Sequence, residues 1–339
     1  MEKTLKKYGQ KIEKNEISPL FFDDGKTNGL ILDPEKDDVP VDHIGFGLIR
    51  LRSEPLIWET KDKEMVIVPQ EGTFEAGING KRFRGERLGG PFAVHPGKTN
   101  ASALYVPRNS TLQIKGEGEV AFFQADAYED KPPFYLHSQD VQVLSRGEWI
   151  WRRDVINLIS PKNGSTNLIV GETYNPPGLW SGTPPHTHDR NDPEGGESDH
   201  EEIYYFRFSM GKKGGSKFCP YAIQILMDGH SLKRAFIVED RAIFAIPGGI
   251  HPVVVSPFTE VLYLWGIAGY GTDLAMRDVK EFAHLKKFEE VLRILEQKKS
   301  EKVVWAKELT QIFEDNELPK DKARLLLSML RERGYEILK

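Results

Sequence analysis

The sequence predicts a mainly β protein: two consecutive small barrels or sandwiches, followed by a helical C-terminal extension. Three observations carry that reading. From Ile44 to Ala127, short runs of β-branched and aromatic residues alternate with Gly, Pro and Asn turns. From Val141 to Ile267 the same pattern returns over a block of similar length, which suggests a duplicated barrel. Beyond about Thr272 the apolar residues change to helical spacing.

The elements are taken in chain order. The opening "MEKTLKKYGQKIEKNE" is charged and lacks the apolar core of a signal peptide. In the first block, "TFEAGINGKRFRG" alternates and then reaches Asn79-Gly80, which suits a type I′ turn and predicts a hairpin. "GEVAFFQADA" closes that block, and "YEDKPPFYLHSQDVQVLSRGEW" reads as the linker. In the second block, "TNLIVGETY", "EEIYYFRFS", "YAIQILMD", "RAIFAIPGG" and "TEVLYLWGIAG" read as strands of a sandwich or barrel. The tail reads as one helix in "FAHLKKFEEVLRILEQKKS" and two more split near Pro319, with a short extended piece after Gly334. Residues 1–140, 141–275 and 276–339 are the expected units. The last resembles a small winged-helix-like unit in outline. Its nearly balanced charge favours packing or oligomerisation over phosphate binding. Its apolar stripes (Leu292, Leu295; Leu325, Leu326, Leu330) need a cover. Every candidate ligand precedes it, so it is expected to be dispensable for the chemistry.

Composition sets limits on function. The chain has 339 residues, 39% hydrophobic and 29% charged, enough for two domains with cores of their own. A net charge of −5 provides no basic field for nucleic acid or an anionic membrane. No apolar run approaches membrane-spanning length. A single cysteine, Cys219, excludes an intramolecular disulfide and a thiolate metal cluster. The expectation is a cytoplasmic protein, homo-oligomeric, in which any metal must be held by histidine and carboxylate.

One stretch, "PPHTHDRNDPEGGESDHEEIYYF", carries such residues. His186 and His188, two apart, share a face if that segment is extended. Glu202 shares its face with Tyr204, Phe206 and Phe208, while Glu201, Ile203, Tyr205 and Arg207 take the other. His251 comes after a Pro-Gly-Gly turn in "FAIPGGIHPVVV". An HxH pair is a weak signal alone. With a strand glutamate and a PGxxH turn, it points to a mixed N/O site for one divalent ion: zinc, iron, manganese or nickel. Tyr204 and Tyr263 are candidates to line the pocket and move protons, or else are packing aromatics. Gln224 is a candidate inward polar group. His200 reads as a loop histidine in water, Glu201 as the outward member of its pair, and His137 and His284 as surface residues.

The constellation resembles the cupin superfamily, and more closely the 5-deoxyglucuronate isomerases with the related 5-keto-4-deoxyuronate isomerases. The resemblance rests on "GFGLIRL", "YVPRNSTLQIKGEGEVAFFQADA", "SRGEWIWRRDVINLI", "LIVGETYNPPGLWSGTPPHTHD", "EEIYYFRF", "IPGGIHPVV" and "YLWGIAG", in the family's order over residues 40–272. It implies a bicupin of two jelly-roll barrels, with the metal in the second on His186, His188, Glu202 and His251. The first barrel, with only scattered His43 and His95, is expected to be metal-free and structural. The implied activity is aldose–ketose isomerisation of a sugar acid from inositol breakdown. The alternative is a metal-dependent hydrolase opening a keto-inositol ring; a sugar-sensing regulator and a cupin dioxygenase stand behind it. The chain departs from the family at Thr187, where a lysine is usual, and at Gly182 and Thr183. Arg190, Arg207 and Arg234 are the candidate replacements for that lysine as the cation facing a carboxylate. The tail lies outside the family pattern.

Overall fold

The computed structural model describes residues 2–338, apart from 37, 95–96, 211–218, 271–272 and 299–301. His95 therefore lies outside the described residues. The chain opens with helix α1 (Glu2–Glu13) and the short strand β1 (Leu20–Phe22). The first barrel comes next: β2 (Gly29–Leu32), β3 (Ile44–Leu51), β4 (Leu56–Glu59), β5 (Lys63–Ile78), β6 (Lys81–Arg87), β7 (Ala103–Val106), β8 (Thr111–Asp126) and β9 (Phe134–Leu136). They form one sheet in the order β2-β3-β8-β5-β7-β9, with β4 on β8 and β6 on β5. The β5–β6 hairpin turns at Asn79 and Gly80, both with positive φ (48° and 82°), as the type I′ signal requires.

The second barrel comprises β10 (Val143–Arg146), β11 (Arg153–Ile159), β12 (Ile169–Asn175), β13 (Trp180–Ser181), β14 (His186–Thr187), β15 (Asp189–Asp192), β16 (Glu197–Phe208), β17 (Ala222–Met227), β18 (Lys233–Val238), β19 (Ala242–Ile246), β20 (Val253–Val255) and β21 (Val261–Gly269). Its large sheet runs β1-β19-β16-β21-β12-β11-β10, with β15 on β16. The smaller sheet runs β13-β20-β17-β18. The expected linker thus supplies a strand to each barrel, β9 to the first and β10 to the second.

Strand alternation explains why the barrels adhere. On β5, Val66 and Val68 enter a core shared between barrels with Ile203, Tyr205 and Leu264. Met65 and Ile67 fill the first barrel's own interior. Both faces of the strand are buried, so "EMVIV" reads as a nearly continuous apolar run rather than an alternating one. Buried polar contacts fix the same seam. Glu64 accepts hydrogen bonds from the backbone N–H of Thr166, Asn167 and Leu168 at 2.6–2.8 Å. Arg87 of β6 makes a bidentate pair with Glu172 of β12, both almost wholly buried.

Two boundaries differ from the sequence expectation. The N-terminal arm, expected with the first barrel, belongs to the second: β1 pairs with β19, and Tyr8 and Ile12 of α1 enter the second core. The amphipathic face of α1 finds its apolar cover there. At the other end, β22 (Arg277–Asp278) pairs with β14, so the second barrel does not end at residue 275. The helical module begins only at α2 (His284–Lys298) and continues through β23 (Val303–Trp305), α3 (Ala306–Asp315), α4 (Ala323–Glu332) and β24 (Glu336–Leu338). β24 pairs in parallel with β23, which is not the antiparallel hairpin of a wing. Phe288, Leu292, Leu295, Leu326 and Leu330 bury one another around Trp151 of the second barrel, with Trp149 and Trp180 packed alongside. Trp151 Nε1 donates to Glu289 of α2 at 2.6 Å. The stripes are covered by each other and by the barrel. Among the described residues no helix is long and apolar enough to cross a membrane.

Candidate metal centre

Four adjacent strands of the large sheet line a cavity of about 180 Å³ in the second barrel. β11 sends Arg153, Val155 and Asn157 into it, while Asp154 and Ile156 turn the other way, toward the inter-barrel seam. Thr173 of β12, Tyr263 and Trp265 of β21, and Glu202 and Tyr204 of β16 continue the lining. The register sets these side chains in rows: Val155 opposite Thr173, Thr173 opposite Tyr263, and Trp265 opposite Tyr204. Gly171 makes room for the Trp265 ring, since a Cβ there would stand 2.3 Å from it.

The structure brings three of the four sequence candidates into one tight group. Ligand atoms of His188, Glu202 and His251 all lie within 4.8 Å of one another. Nε2 of His188 is 3.3 Å, and Nε2 of His251 3.1 Å, from Glu202 Oε2. His186 lines the same cavity but stands back, its ring centroid 5.9 Å from that of His251 and 6.5 Å from that of His188.

Main-chain acceptors fix the tautomers. Nδ1 of His186 faces Pro184 O at 2.9 Å, Nδ1 of His188 faces His200 O at 3.1 Å, and Nδ1 of His251 faces Gly249 O at 2.7 Å. A carbonyl can only accept, so each Nδ1 carries the hydrogen and each neutral ring offers its Nε2 lone pair. Two Nε2 atoms facing one carboxylate oxygen need positive charge between them: a divalent ion or, without one, a proton on the rings, which is why His188, though burial would lower it, is drawn upward by Glu202. Oriented imidazoles with a buried carboxylate are what a divalent ion requires, so the residues present fit a metal. Burial alone would push the Glu202 carboxyl up; the flanking histidines outweigh it and hold it at about 2. His186 is pushed down to about 4 by burial and the neighbouring His251. Burial and the adjacent Glu202 carboxylate raise the Tyr204 hydroxyl well above its ordinary value, so it stays a neutral phenol. Tyr263 is raised by burial, and its OH donates to Ser181 Oγ at 2.9 Å.

Other candidates fall differently. His200 is not a solvated loop histidine: β16 begins earlier than expected, at Glu197, and His200 is wholly buried. Its N–H donates to His188 O at 2.7 Å and its carbonyl accepts from the His188 ring, so its main chain orients a candidate ligand. Glu201 takes the opposite face from Glu202, but that face is the barrel seam and not solvent. Its carboxylate accepts from the N–H groups of Asp42 and His43, both at 2.8 Å, and burial pushes it up to about 8. Gln224 does not line the cavity. It sits behind His251, donating Nε2 to the His251 carbonyl at 2.8 Å. Arg190 pairs with Asp189, Arg207 with Asp240, and Arg234 reaches Glu13 O and Asn15; none lines the cavity. The cation that does is Arg153, which the sequence reading missed. Alternation along "RDVIN" would have placed it beside Val155 and Asn157, had the strand's inward face been known.

The last segment of the second barrel also contributes. Leu274 and Met276 line the cavity, and Ala275 exchanges hydrogen bonds with Ser198 at 2.8–3.1 Å.

Comparison with known proteins accords with this architecture. The model of the KduI/IolB family matches residues 20–285. A 5-deoxy-glucuronate isomerase of Geobacillus kaustophilus is 30% identical over 258 residues, covering 75% of this chain and 88% of that protein. A protein of the same name from Halalkalibacterium halodurans is 30% identical over 265 residues, covering 77% and 92%. The crystal structure of an IolB-like protein from Salmonella typhimurium LT2 superposes with a TM-score of 0.70 at 23% identity, covering 79% of this chain and 98% of that one. An oxalate decarboxylase from Lactobacillus farciminis shares the fold at 11% identity and a TM-score of 0.51 over 82% of this chain and 93% of its own. The family match takes in the cavity-lining Leu274 and Met276 and stops at the start of the helical module. With the family pattern running through both barrels of this bicupin, the chain belongs to the KduI/IolB family.

Proposed function

We propose that this protein is a metal-dependent aldose–ketose isomerase of a sugar acid in inositol breakdown, taking a 5-deoxy-glucuronate-type substrate. The observation that supports this most directly is the group of His188, Glu202 and His251 at one side of a cavity whose opposite side carries a cation. The names borne by the relatives support the reaction class. His186 is the proposed fourth ligand.

The reaction moves a hydrogen between two neighbouring carbons of an open-chain sugar. A divalent ion held by these residues would polarise the carbonyl and the adjacent hydroxyl and stabilise the enediolate. The chain's own residues supply a proton to the substrate oxygen and shape the site. Glu202 would be held ionised as a ligand of that ion. Tyr204, a neutral phenol with its ring 4.5 Å from that of Tyr263, holds a proton within the cavity and can lend it to a substrate oxygen as charge develops. Tyr263 is fixed by its bond to Ser181. Trp265, Ile267 and Leu274 keep water from the intermediate. Gln224 and His200 act at one remove, by positioning His251 and His188.

The test is turnover of 5-deoxy-glucuronate and, separately, of keto-inositols, with products identified by NMR in H2O and D2O. The reading expects conversion of the uronate to its 2-keto isomer without uptake of water. Ring opening of a keto-inositol with uptake of water would replace isomerase by hydrolase. A Tyr204→Phe variant is expected to keep its metal and lose about 10²-fold in turnover.

A further inference from the structure

Among the described residues, Arg153 is the only lysine or arginine lining the cavity. Its neighbourhood differs from that of other partly or fully buried arginines: even Arg234, which has no carboxylate partner among the described residues, donates to both Glu13 O and Asn15 Oδ1. Arg87 is paired with Glu172, Arg50 with Asp23, Arg207 with Asp240, and Arg241 with Asp23 and Glu119. The half-buried Arg153 has no carboxylate of the described residues within ion-pair distance, and its guanidinium donates one protein hydrogen bond, from Nη1 to Trp151 O at 3.2 Å. Glu289, the acidic group that acts on it from the helical module, is engaged by Trp151 Nε1. Burial correspondingly disfavours the charged form of Arg153. A guanidinium has five N–H donors in a planar fork, and all but one of those of Arg153 are without a protein acceptor among the described residues at the cavity wall. A cavity-facing fork of this kind is equipped to receive an anion carried by a ligand.

Position says which part of a ligand that is. Arg153 stands on β11 and Glu202 on β16, with β12 and β21 between them in the sheet. The cation and the His188–Glu202–His251 group therefore occupy opposite sides of the cavity floor, with Tyr263 and Trp265 between. A molecule that places its reacting end at the histidines presents its far end to Arg153. A single planar fork among largely apolar walls matches a carboxylate, which it can hold through two parallel N–H bonds. Phosphate sites gather several donors, commonly a helix N-terminus or a second cation, and neither lines this cavity among the described residues.

We propose that Arg153 anchors the substrate's carboxylate and makes the cavity selective for sugar acids over neutral sugars. The orientation of the substrate rests on the isomerase reading above; the anion preference does not.

The test measures binding apart from turnover. Metal-loaded protein would be titrated calorimetrically with D-glucuronate, D-glucose and D-glucose 6-phosphate. Wild type is expected to bind glucuronate at least about tenfold more tightly than glucose. Arg153→Gln should abolish that preference and leave glucose affinity and metal content unchanged, while Arg153→Lys should keep part of it. With 5-deoxy-glucuronate, Arg153→Gln should raise KM more than it lowers kcat. Equal losses for acid and neutral sugar, or none, would overturn the anchor, as would tighter binding of the phosphate ester than of glucuronate. If Arg153→Gln does not fold, the Lys variant carries the comparison. An Arg153-dependent preference for glucuronate without any isomerisation would overturn the function and leave the anchor standing. Isomerisation undiminished in Arg153→Gln would do the reverse.

Discussion

His186 and Asp278 stand opposite each other on the antiparallel ladder between β14 and β22. The chain leaving the second barrel is thereby stitched to the loop that carries the first histidine of the candidate centre. Residues 274–278 belong to the site, so dispensability can hold only for the helical module beyond them. A chain ending at Ala283 is expected to keep its metal but to unfold at lower temperature, because Trp151 loses its cover, worth about 1.5–3 kcal/mol for a large buried side chain. Replacing residues 274–278 by a Gly-Ser stretch should instead lower turnover at nearly unchanged thermal stability. Calorimetric melting and metal analysis of the two variants check this, and equal behaviour would contradict it.

The ligand hierarchy comes from distance. His188→Ala and His251→Ala each remove a ring whose Nε2 lies within 3.3 Å of Glu202 and should abolish retention of a divalent ion. His186→Ala, outside the tight group, should weaken retention without abolishing it. Elemental analysis after dialysis against a chelator is the measurement. Full metal content in the His188 and His251 variants would remove the centre from the cavity.

Asp23 provides a pH-dependent tie between the barrels. Its side chain is buried between Arg50 of the first barrel and Arg241 of the second. Burial would raise its carboxyl, but the two arginines outweigh that and hold it below the ordinary 3.8. A depressed carboxyl contributes stability that is complete above the unfolded value and is lost as pH falls through the folded one. Asp23→Asn should therefore be less stable than wild type at pH 6, and the gap should narrow only below about pH 4. Urea unfolding between pH 3 and 6 reads the gap directly. A constant difference across that range would remove the ion pairs as its cause.

Glu172 and Arg87 test the seam itself. Their bidentate contacts are 2.5 and 2.8 Å, with Arg87 held further by Asn100 and Pro69 O. Glu172→Gln leaves a buried cation without its counter-ion and should cost about 3–5 kcal/mol. Replacing both residues by Met should restore much of that loss, since well-packed apolar substitutes are often neutral where a broken pair is not. Chemical unfolding of the single and double variants closes the cycle.

Much of this was legible in the sequence. Period-two alternation put Glu202 and Tyr204 on one face of a strand and Ile203 and Tyr205 on the other, and the structure separates them into the second barrel's interior and the inter-barrel core. Asn79-Gly80 marked its hairpin because few residue pairs tolerate two positive φ angles. The HxH pair, the strand glutamate and the PGxxH turn named the candidate ligands because ligand chemistry restricts the residue types.

What the sequence by itself determined was local: element type, face and donor chemistry, each set by neighbours a few residues away. Tertiary structure decided which faces meet. It buried His200, which charged neighbours in sequence suggested was solvated, because β16 continues to Glu197 against β15 and β21. It moved α1 and β1 onto the second barrel, where β19 had an edge to pair. It placed Gln224 behind His251, and it put Arg153 rather than Arg190, Arg207 or Arg234 in the cavity. Alternation assigns a residue to one of two faces; only packing against the rest of the molecule settles which face is the inside.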